Sequence, residues 1–254
     1  MASKYNDLVN TIHTNTYGDK YIITKVDNSS CIYIKFLDEY HYETYTRYDN
    51  IVKGRVKNIF GKHVYGVGYI GNTTTKNSSD NKQKYSYEVW NKMLQRCYDD
   101  KTQAKFPTYK GCKVCEEWLS YENFEKWFND NYPQDKNHKY FLDKDLLSSN
   151  NKIYSPNTCC FIPRIINNAI AYSRTTNSSG YNGVFYDKKS HKYRAQISYD
   201  NNKYALGWFD NPYDAFICYK NAKEEFIHQL AKEYHKYLSY KAYHALINYK
   251  IKEN

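Results

Sequence analysis

The chain lacks any long apolar run and any acidic excess, and both absences limit the class of protein. No stretch approaches the roughly 18 apolar residues that a membrane-spanning helix needs. The opening MASKYNDLVNTIH has no apolar core of the kind a secretory signal carries. Seven cysteines, an odd number, then favour reduced thiols over a disulfide framework. We therefore expect a cytoplasmic protein with no membrane partner.

Acidic residues are outnumbered by basic ones. The 37 Lys and Arg against 27 Asp and Glu give a formal net charge of +10. Such an excess favours polyanionic partners, nucleic acid above all, and speeds encounter with them. The alternative is a basic surface that only contacts solvent.

The chain reads as three structured segments joined by two polar linkers. Residues 1–72 contain short runs of aromatic and β-branched residues, which predict a small β module. Residues 73–84 have no apolar side chain and predict a flexible linker. A second linker is predicted at 173–180, which leaves structured segments at 85–172 and 181–254.

One helix is predicted at residues 85–98. Trp90, Met93, Leu94 and Cys97 follow the spacing i, i+3, i+4 and i+7, which forms one apolar stripe. We interpret this stripe as protein core rather than as a cofactor site.

The central stretch, residues 142–168, begins with the alternating pattern of a strand and continues with loop, strand and helix patterns. Alternating residues through Asp143 predict a strand, and the polar residues 148–152 predict a loop. An apolar run at 158–162 predicts a second strand, after which Pro163 suits the first turn of a helix. The order strand, loop, strand and helix allows a small fold to hold one hard metal ion between a strand carboxylate and groups on the helix.

Three spaced elements of this stretch carry a resemblance. They are LDK at 142–144, YSPNTC at 154–159 and Asn167, preceded upstream by YKGCKVCEEW at 109–118. Together they resemble the HNH nuclease motif in the form found in phage-borne homing endonucleases. The resemblance implies a central ββα-metal domain within 85–172, in a phage-encoded protein of the bacterial host cytoplasm.

The resemblance also implies a site. Asp143 stands where the family carries its metal carboxylate and Asn167 where it carries the third motif residue, so a single Mg²⁺ or Mn²⁺ is expected. Asn157 lies one position from the expected amide ligand and is a weaker candidate. Lys144 stands where a general-base His is expected. At its reference pKa of about 10.4 it is a poor base unless desolvated, and the other role for it is to neutralise phosphate.

Four cysteines raise the question of zinc. Cys112 and Cys115 have the spacing of a zinc knuckle, and Cys159 and Cys160 would complete a four-thiolate site. Adjacent cysteines on a strand point to opposite faces, however. We therefore expect small buried thiols and no zinc.

The last segment predicts three strands and a helix. Residues 181–186, 192–199 and 203–208 have strand composition with turns between them. Asn211 followed by Pro212 predicts a capped helix start. Helical signal then continues to about residue 250, packing either on the sheet or against a second molecule.

This segment resembles the plant ethylene-response-factor (APETALA-type) DNA-binding domain. The matching stretches are GV at 183–184, KYRAQI at 192–197, LGWFD at 206–210 and DA at 214–215. The family lays its three-stranded sheet in the DNA major groove. Strand alternation turns Arg194, Gln196 and Ser198 away from the helix, and family position adds further residues to that face. The predicted DNA-binding set is Asn182, Phe185, Lys192, Arg194, Gln196, Ser198 and Lys203.

The sequence thus predicts an α+β protein with a small amino-terminal β module, a central HNH-like domain with helices, and a carboxy-terminal three-stranded antiparallel sheet plus helix. The leading hypothesis is a site-directed DNA endonuclease, of homing or nicking type, that hydrolyses phosphodiester bonds in double-stranded DNA with a metal ion. The alternative is a catalytically silent DNA-binding protein on the same scaffold that acts as a regulator or an inhibitor.

Overall fold

Short segments rich in β-branched and aromatic residues form an antiparallel sheet near the amino terminus. The computed structural model describes residues 5–73, 81–171, 179–199 and 202–251, which fall into two compact units, Met1–Lys126 and Trp127–Asn254. The sheet of the first unit has the order β1-β2-β3-β4. Its strands are β1 (Ile12–Thr14), β2 (Lys20–Asn28), β3 (Cys31–Phe36) and β4 (Glu43–Thr46).

Alternation places the core of this module on one face of the sheet. Ile32, Ile34 and Phe36 of β3 are buried, while the residues between them are partly exposed. A short helix, α1 (Tyr48–Val52), follows the sheet, and its Ile51 packs into the same core. The predicted small β module is therefore confirmed.

The helices of the first unit bury the stripe predicted from the sequence. Trp90, Met93, Leu94 and Cys97 are all buried on one helix, and the Trp90 indole Nε1 donates to the carbonyl oxygen of Trp118 at 2.7 Å. That helix begins before the predicted residue 85. The further elements are α2 (Asn81–Tyr98), α3 (Asp100–Lys105), β5 (Lys113–Val114) and α4 (Tyr121–Asn131), the last of which crosses from the first unit into the second.

The central stretch has the predicted order of strand, loop, strand and helix, with one further two-residue strand between the two predicted strands. In the antiparallel pair, Tyr140 lies opposite Pro163 and Asp143 lies opposite Cys160. Pro163 is the last residue of the second strand and occupies the N-cap position, so it lies one residue before the first turn in which it was predicted. The elements are β6 (Tyr140–Asp143), β7 (Ile153–Tyr154), β8 (Cys160–Pro163) and α5 (Arg164–Ile170).

The second unit also contains a three-stranded antiparallel sheet in the order β11-β10-β9, with a helix packed on it, as predicted. Asn211 caps that helix, since its side-chain oxygen accepts from the Asp214 backbone N–H at 2.8 Å and Pro212 occupies the first turn. The elements are β9 (Val184–Asp187), β10 (Lys192–Tyr199), β11 (Asn202–Phe209), α6 (Pro212–Glu233) and α7 (Tyr240–Ile247).

Helix α6 contributes residues to two hydrophobic cores of the second unit. It has 22 residues and is therefore about 33 Å long. Ala215 and Phe216 in its first turns pack on the three-stranded sheet, whereas Ile227 and Leu230 join the core of β8 and α5. Helix α7 joins that second core as well. The carboxy-terminal helical region thus packs mainly on the central strands and helix.

The two predicted linkers lie mostly outside the described residues, namely at 74–80 and 172–178. The segment boundaries 1–72, 85–172 and 181–254 therefore stay predictions. Among the described residues, no helix combines the length and the apolar character needed to cross a bilayer.

Candidate nucleic-acid interface and candidate metal site

Asp143 ends strand β6 at the point where the backbone turns. Its Oδ1 accepts hydrogen bonds from the backbone N–H groups of Asp145 at 2.9 Å and Leu146 at 2.7 Å. An Asp side chain that holds the next turn in this way is fixed in direction. Its Oδ2 accepts no hydrogen bond from the described residues, which leaves that oxygen available to a ligand.

Asp143 is half-buried at the end of its strand. Burial raises its pKa above the ordinary value, opposed by the two backbone N–H groups. Burial also raises the pKa of the Cys160 thiol on the facing strand, and the charge of Asp143 adds to that effect. The same charge contributes, after burial and Glu224, to a raised pKa at Tyr249. A cation beside Asp143 would offset the cost of this half-buried negative charge.

Lys144 is held inside the loop that follows β6. Its side chain is only 9% exposed, and its Nζ donates to Asp145 Oδ1 at 2.5 Å and to the Asn151 carbonyl oxygen at 2.8 Å. The Asn151 amide donates back to the Lys144 carbonyl oxygen at 2.9 Å. The ammonium group also lies 5.9 Å from the centre of the Tyr154 ring. These contacts give Lys144 a structural role that the sequence did not indicate.

The two asparagine candidates lie on different elements. Asn167 is half-buried in the middle of α5, a helix that packs on β6 and β8, whereas Asn157 is exposed in the turn before β8. Neither side-chain amide is hydrogen-bonded to another described residue. Thr158, by contrast, donates its hydroxyl to the Ile153 carbonyl oxygen at 2.7 Å and so braces the turn.

The candidate ligands for an ion at Asp143 are carboxylate and amide oxygens. Within the described ranges, no three His, Cys, Asp or Glu side chains form a metal-binding group. A site here would rest on one carboxylate with amide oxygens. Mg²⁺ tolerates such a set because it keeps several water ligands and often completes its shell with substrate phosphate.

The four cysteines considered for zinc are free thiols. Cys112 is buried and Cys115 half-buried in the first unit, and Cys159 and Cys160 are buried in the second. Burial raises the pKa values of Cys115 and Cys160, which disfavours the thiolate form that binds zinc. The absence of zinc stays a prediction.

The outer face of the carboxy-terminal sheet carries a row of three large side chains. Arg194 on β10 pairs with Phe185 on β9 and with Trp208 on β11. The two rings are 39% and 51% exposed. The guanidinium carbon of Arg194 lies 6.0 Å from the centre of the Phe185 ring. No hydrogen bond or ion pair from the described residues engages the guanidinium, and its buried Nε has no partner there.

The rest of the predicted set surrounds this row, with one exception. Ser198 and Lys203 pair with each other and are exposed, and Lys192 is exposed with its Nζ 3.3 Å from Asp210 Oδ1. Asn182 is half-buried just before β9. We term the exposed members, the half-buried Arg194 and Trp208 together the outer face, which comprises Phe185, Lys192, Arg194, Ser198, Lys203 and Trp208.

Gln196 is the exception, since its side chain is only 8% exposed. The pairing of β10 with β11 shifts between Ala195 and Gln196, and the Gln196 backbone N–H donates to the Gly183 carbonyl oxygen at 2.8 Å. The backbone just before β9 thus approaches Gln196 closely. The expectation that Gln196 presents its side chain to DNA does not fit the free protein.

Trp208 is the residue that the sequence-based set missed. Counting alternate positions from Lys203 turns Trp208 towards the helix. In the structure Ala195 faces Gly207 while Gln196 faces Ala205, which leaves Leu206 without a partner in the pairing. This bulge reverses the alternation, so Trp208 lies on the outer face. Gly207, a residue type common at bulges, was the only feature of the sequence that indicated this bulge.

No family profile, no curated protein and no solved structure matches the chain.

Proposed function

We propose that this chain is a DNA-binding protein that places the outer face of its carboxy-terminal sheet on double-stranded DNA. The observation that carries this proposal is Arg194, an arginine without hydrogen-bond or ion-pair partners among the described residues, set between two exposed rings on a sheet surface. Its buried Nε cannot meet an outside acceptor, so the terminal N–H groups are the donors left for one.

The geometry of the outer face suits a DNA groove. The major groove admits β structure, and an arginine there can donate two hydrogen bonds to the O6 and N7 atoms of guanine. Lys192 and Lys203 lie on opposite sides of the row along the strand direction, because Lys192 precedes Arg194 on β10 and Lys203 pairs with Ser198, which follows it. They can reach phosphates on either side of the row. The net charge of +10 supports the same partner because released counterions contribute much of DNA affinity.

Binding of the full chain to a random-sequence duplex pool, followed by selection of preferred sites, tests this proposal. Arg194→Ala should weaken binding to a selected duplex by about 1–3 kcal/mol. Lys241→Ala, which removes an exposed charge from α7, is the matched control and should change affinity little. Equal affinities for wild type and Arg194→Ala would overturn the proposal.

A metal-dependent endonuclease is the second candidate, favoured by the orientation of Asp143. The Asp143 Oδ1 is fixed by two backbone N–H groups, which directs Oδ2 away from the turn. Asp143 would hold one Mg²⁺ or Mn²⁺, with Asn167 as a second ligand or phosphate contact and Asn157 as a weaker one. Such an ion stabilises charge on the phosphate and activates water. Because the Lys144 ammonium group is hydrogen-bonded within the loop, no residue is assigned the role of general base.

Cleavage of supercoiled DNA with and without Mg²⁺ or Mn²⁺ separates this candidate from a non-cutting regulator or inhibitor. Asp143→Asn keeps an oxygen for the two backbone N–H groups but removes the charge, so it should abolish cleavage and retain DNA affinity. Asp130→Ala, an exposed carboxylate at the end of α4, is the control. Intact cleavage by Asp143→Asn would remove Asp143 from the mechanism, and no cleavage by the wild type would favour the non-cutting protein.

A further inference from the structure

The row Phe185, Arg194 and Trp208 places two exposed aromatic rings on either side of one arginine. Neighbouring strands lie about 4.8 Å apart, so the row spans about 10 Å across the sheet. That length covers about three stacked base pairs at 3.4 Å each. The row is therefore long enough to contact a base pair and its two neighbours at once.

The central residue of the row, Arg194, is the polar one. Arg194 is flanked on both sides by apolar rings, and its guanidinium lies near the Phe185 ring face. Rings on both sides limit the directions in which the guanidinium can turn and reduce its contact with water. An arginine confined in this way is suited to the paired acceptors of guanine, which require a planar donor pair.

The two residues that flank Arg194 are apolar. Phe185 and Trp208 are exposed in the free protein, and covering their rings with another apolar group removes apolar surface from water. On the base edges of the major groove, that group is the C5-methyl of thymine. A 5-methylcytosine carries the same group at the same ring position.

We propose that Phe185, Arg194 and Trp208 read a guanine whose neighbouring pyrimidines carry a C5-methyl group. This inference rests on the proposed function and deepens it, because it names the base chemistry that the outer face recognises. Arg194 supplies the contact to guanine, and Phe185 and Trp208 each cover one methyl group. The selected sites should therefore contain guanine with thymine beside it on either strand.

Atom-by-atom changes to a selected duplex test the inference without altering the protein. Replacing thymine by deoxyuridine beside the guanine removes one methyl group and should weaken binding about fourfold, as expected for one buried methyl group. Replacing the guanine by 7-deazaguanine removes the N7 acceptor and should weaken binding about tenfold or more. Replacing that thymine–adenine pair by 5-methylcytosine–guanine should preserve the methyl contribution, whereas unmethylated cytosine should lose it.

Protein variants assign each contribution to a ring. Trp208→Ala should bind the thymine and deoxyuridine duplexes equally at one neighbouring position, and Phe185→Ala should do so at the other. Lys203→Ala, the matched control, should weaken all duplexes by the same factor and keep the methyl effect. Melting curves of each variant confirm that the sheet is folded.

The possible outcomes distinguish failure of the proposed function from failure of this inference alone. A chain that binds no duplex overturns the proposed function and this inference with it. Tight, Arg194-dependent binding that ignores both deoxyuridine and 7-deazaguanine overturns only the inference. Loss of self-association on Trp208→Ala in light scattering, with unchanged affinity for DNA, would assign the face to a second copy of the chain and likewise overturn it.

Discussion

Arg194 and Trp208 face each other across β10 and β11 because one residue of β11, Leu206, has no partner in the pairing. Without this bulge, Trp208 would lie on the helix side of the sheet. The bulge therefore adds the Trp208 ring to an outer face that already has Phe185 beside Arg194. A single local irregularity thus sets which side chains are presented to a partner.

The salt dependence of DNA binding should report the lysines at the rim of the outer face. Lys203→Ala should reduce the slope of log affinity against log salt concentration by about 0.9, because one phosphate contact is lost. Fluorescence anisotropy over a salt series measures this slope. An unchanged slope would show that Lys203 contacts no phosphate, and Lys241→Ala serves as the control that leaves the slope intact.

Lys144 should contribute to stability. Lys144→Ala removes the donor to the Asn151 carbonyl oxygen and the contact with Tyr154, and we expect a loss of about 1–3 kcal/mol in the free energy of unfolding. The pair with Asp145 adds little, since Asp145 is exposed to solvent. Urea unfolding measures the difference, with the exposed Lys136→Ala as the control. Equal stability of the two variants would contradict the structural role.

Glu224 should make stability depend on pH. It is buried on α6 and accepts from Lys250 Nζ at 2.8 Å and from the Ile251 backbone N–H at 2.9 Å. Burial acts to raise its pKa, but the hydrogen bonds and the nearby lysines outweigh this and lower the pKa below 4.5. A lowered carboxyl pKa gives stability that is present above pH 4.5 and lost as pH falls through the folded value.

Glu224→Gln should therefore destabilise the chain at pH 7 by about 1–3 kcal/mol and flatten its stability below pH 4.5. Glu225→Gln, at the exposed neighbouring position, should do neither. Urea unfolding at pH 7 and pH 3.5 measures both effects. If the two variants unfold alike at both pH values, the contacts of Glu224 with the chain end do not stabilise the protein.

The sequence predicted elements whose signal is local. The stripe from Trp90 to Cys97, the cap at Asn211 and the antiparallel strands at both ends follow from periodicity and turn chemistry, and the structure has them. The α+β class follows from the same signals. These features need no knowledge of distant contacts.

The remaining features depend on contacts that composition and periodicity do not encode. Lysine is rarely buried, so the enclosure of Lys144 by Asn151 and Tyr154 had no sequence signal. The attachment of the second half of α6 to β8 and α5 joins residues far apart in the chain. The exposure of Trp208 and the burial of Gln196 both arise at a bulge, where the alternation rule fails.

Chemical protection of the DNA bases shows whether the outer face binds in the major groove. Dimethyl sulfate methylates guanine N7 in the major groove and adenine N3 in the minor groove. With the full chain bound to a selected duplex, our account predicts protection of a guanine N7 that is lost on Arg194→Ala and retained on Lys241→Ala. Protection of adenine N3 alone, or guanine protection that survives Arg194→Ala, would contradict binding of the outer face in the major groove.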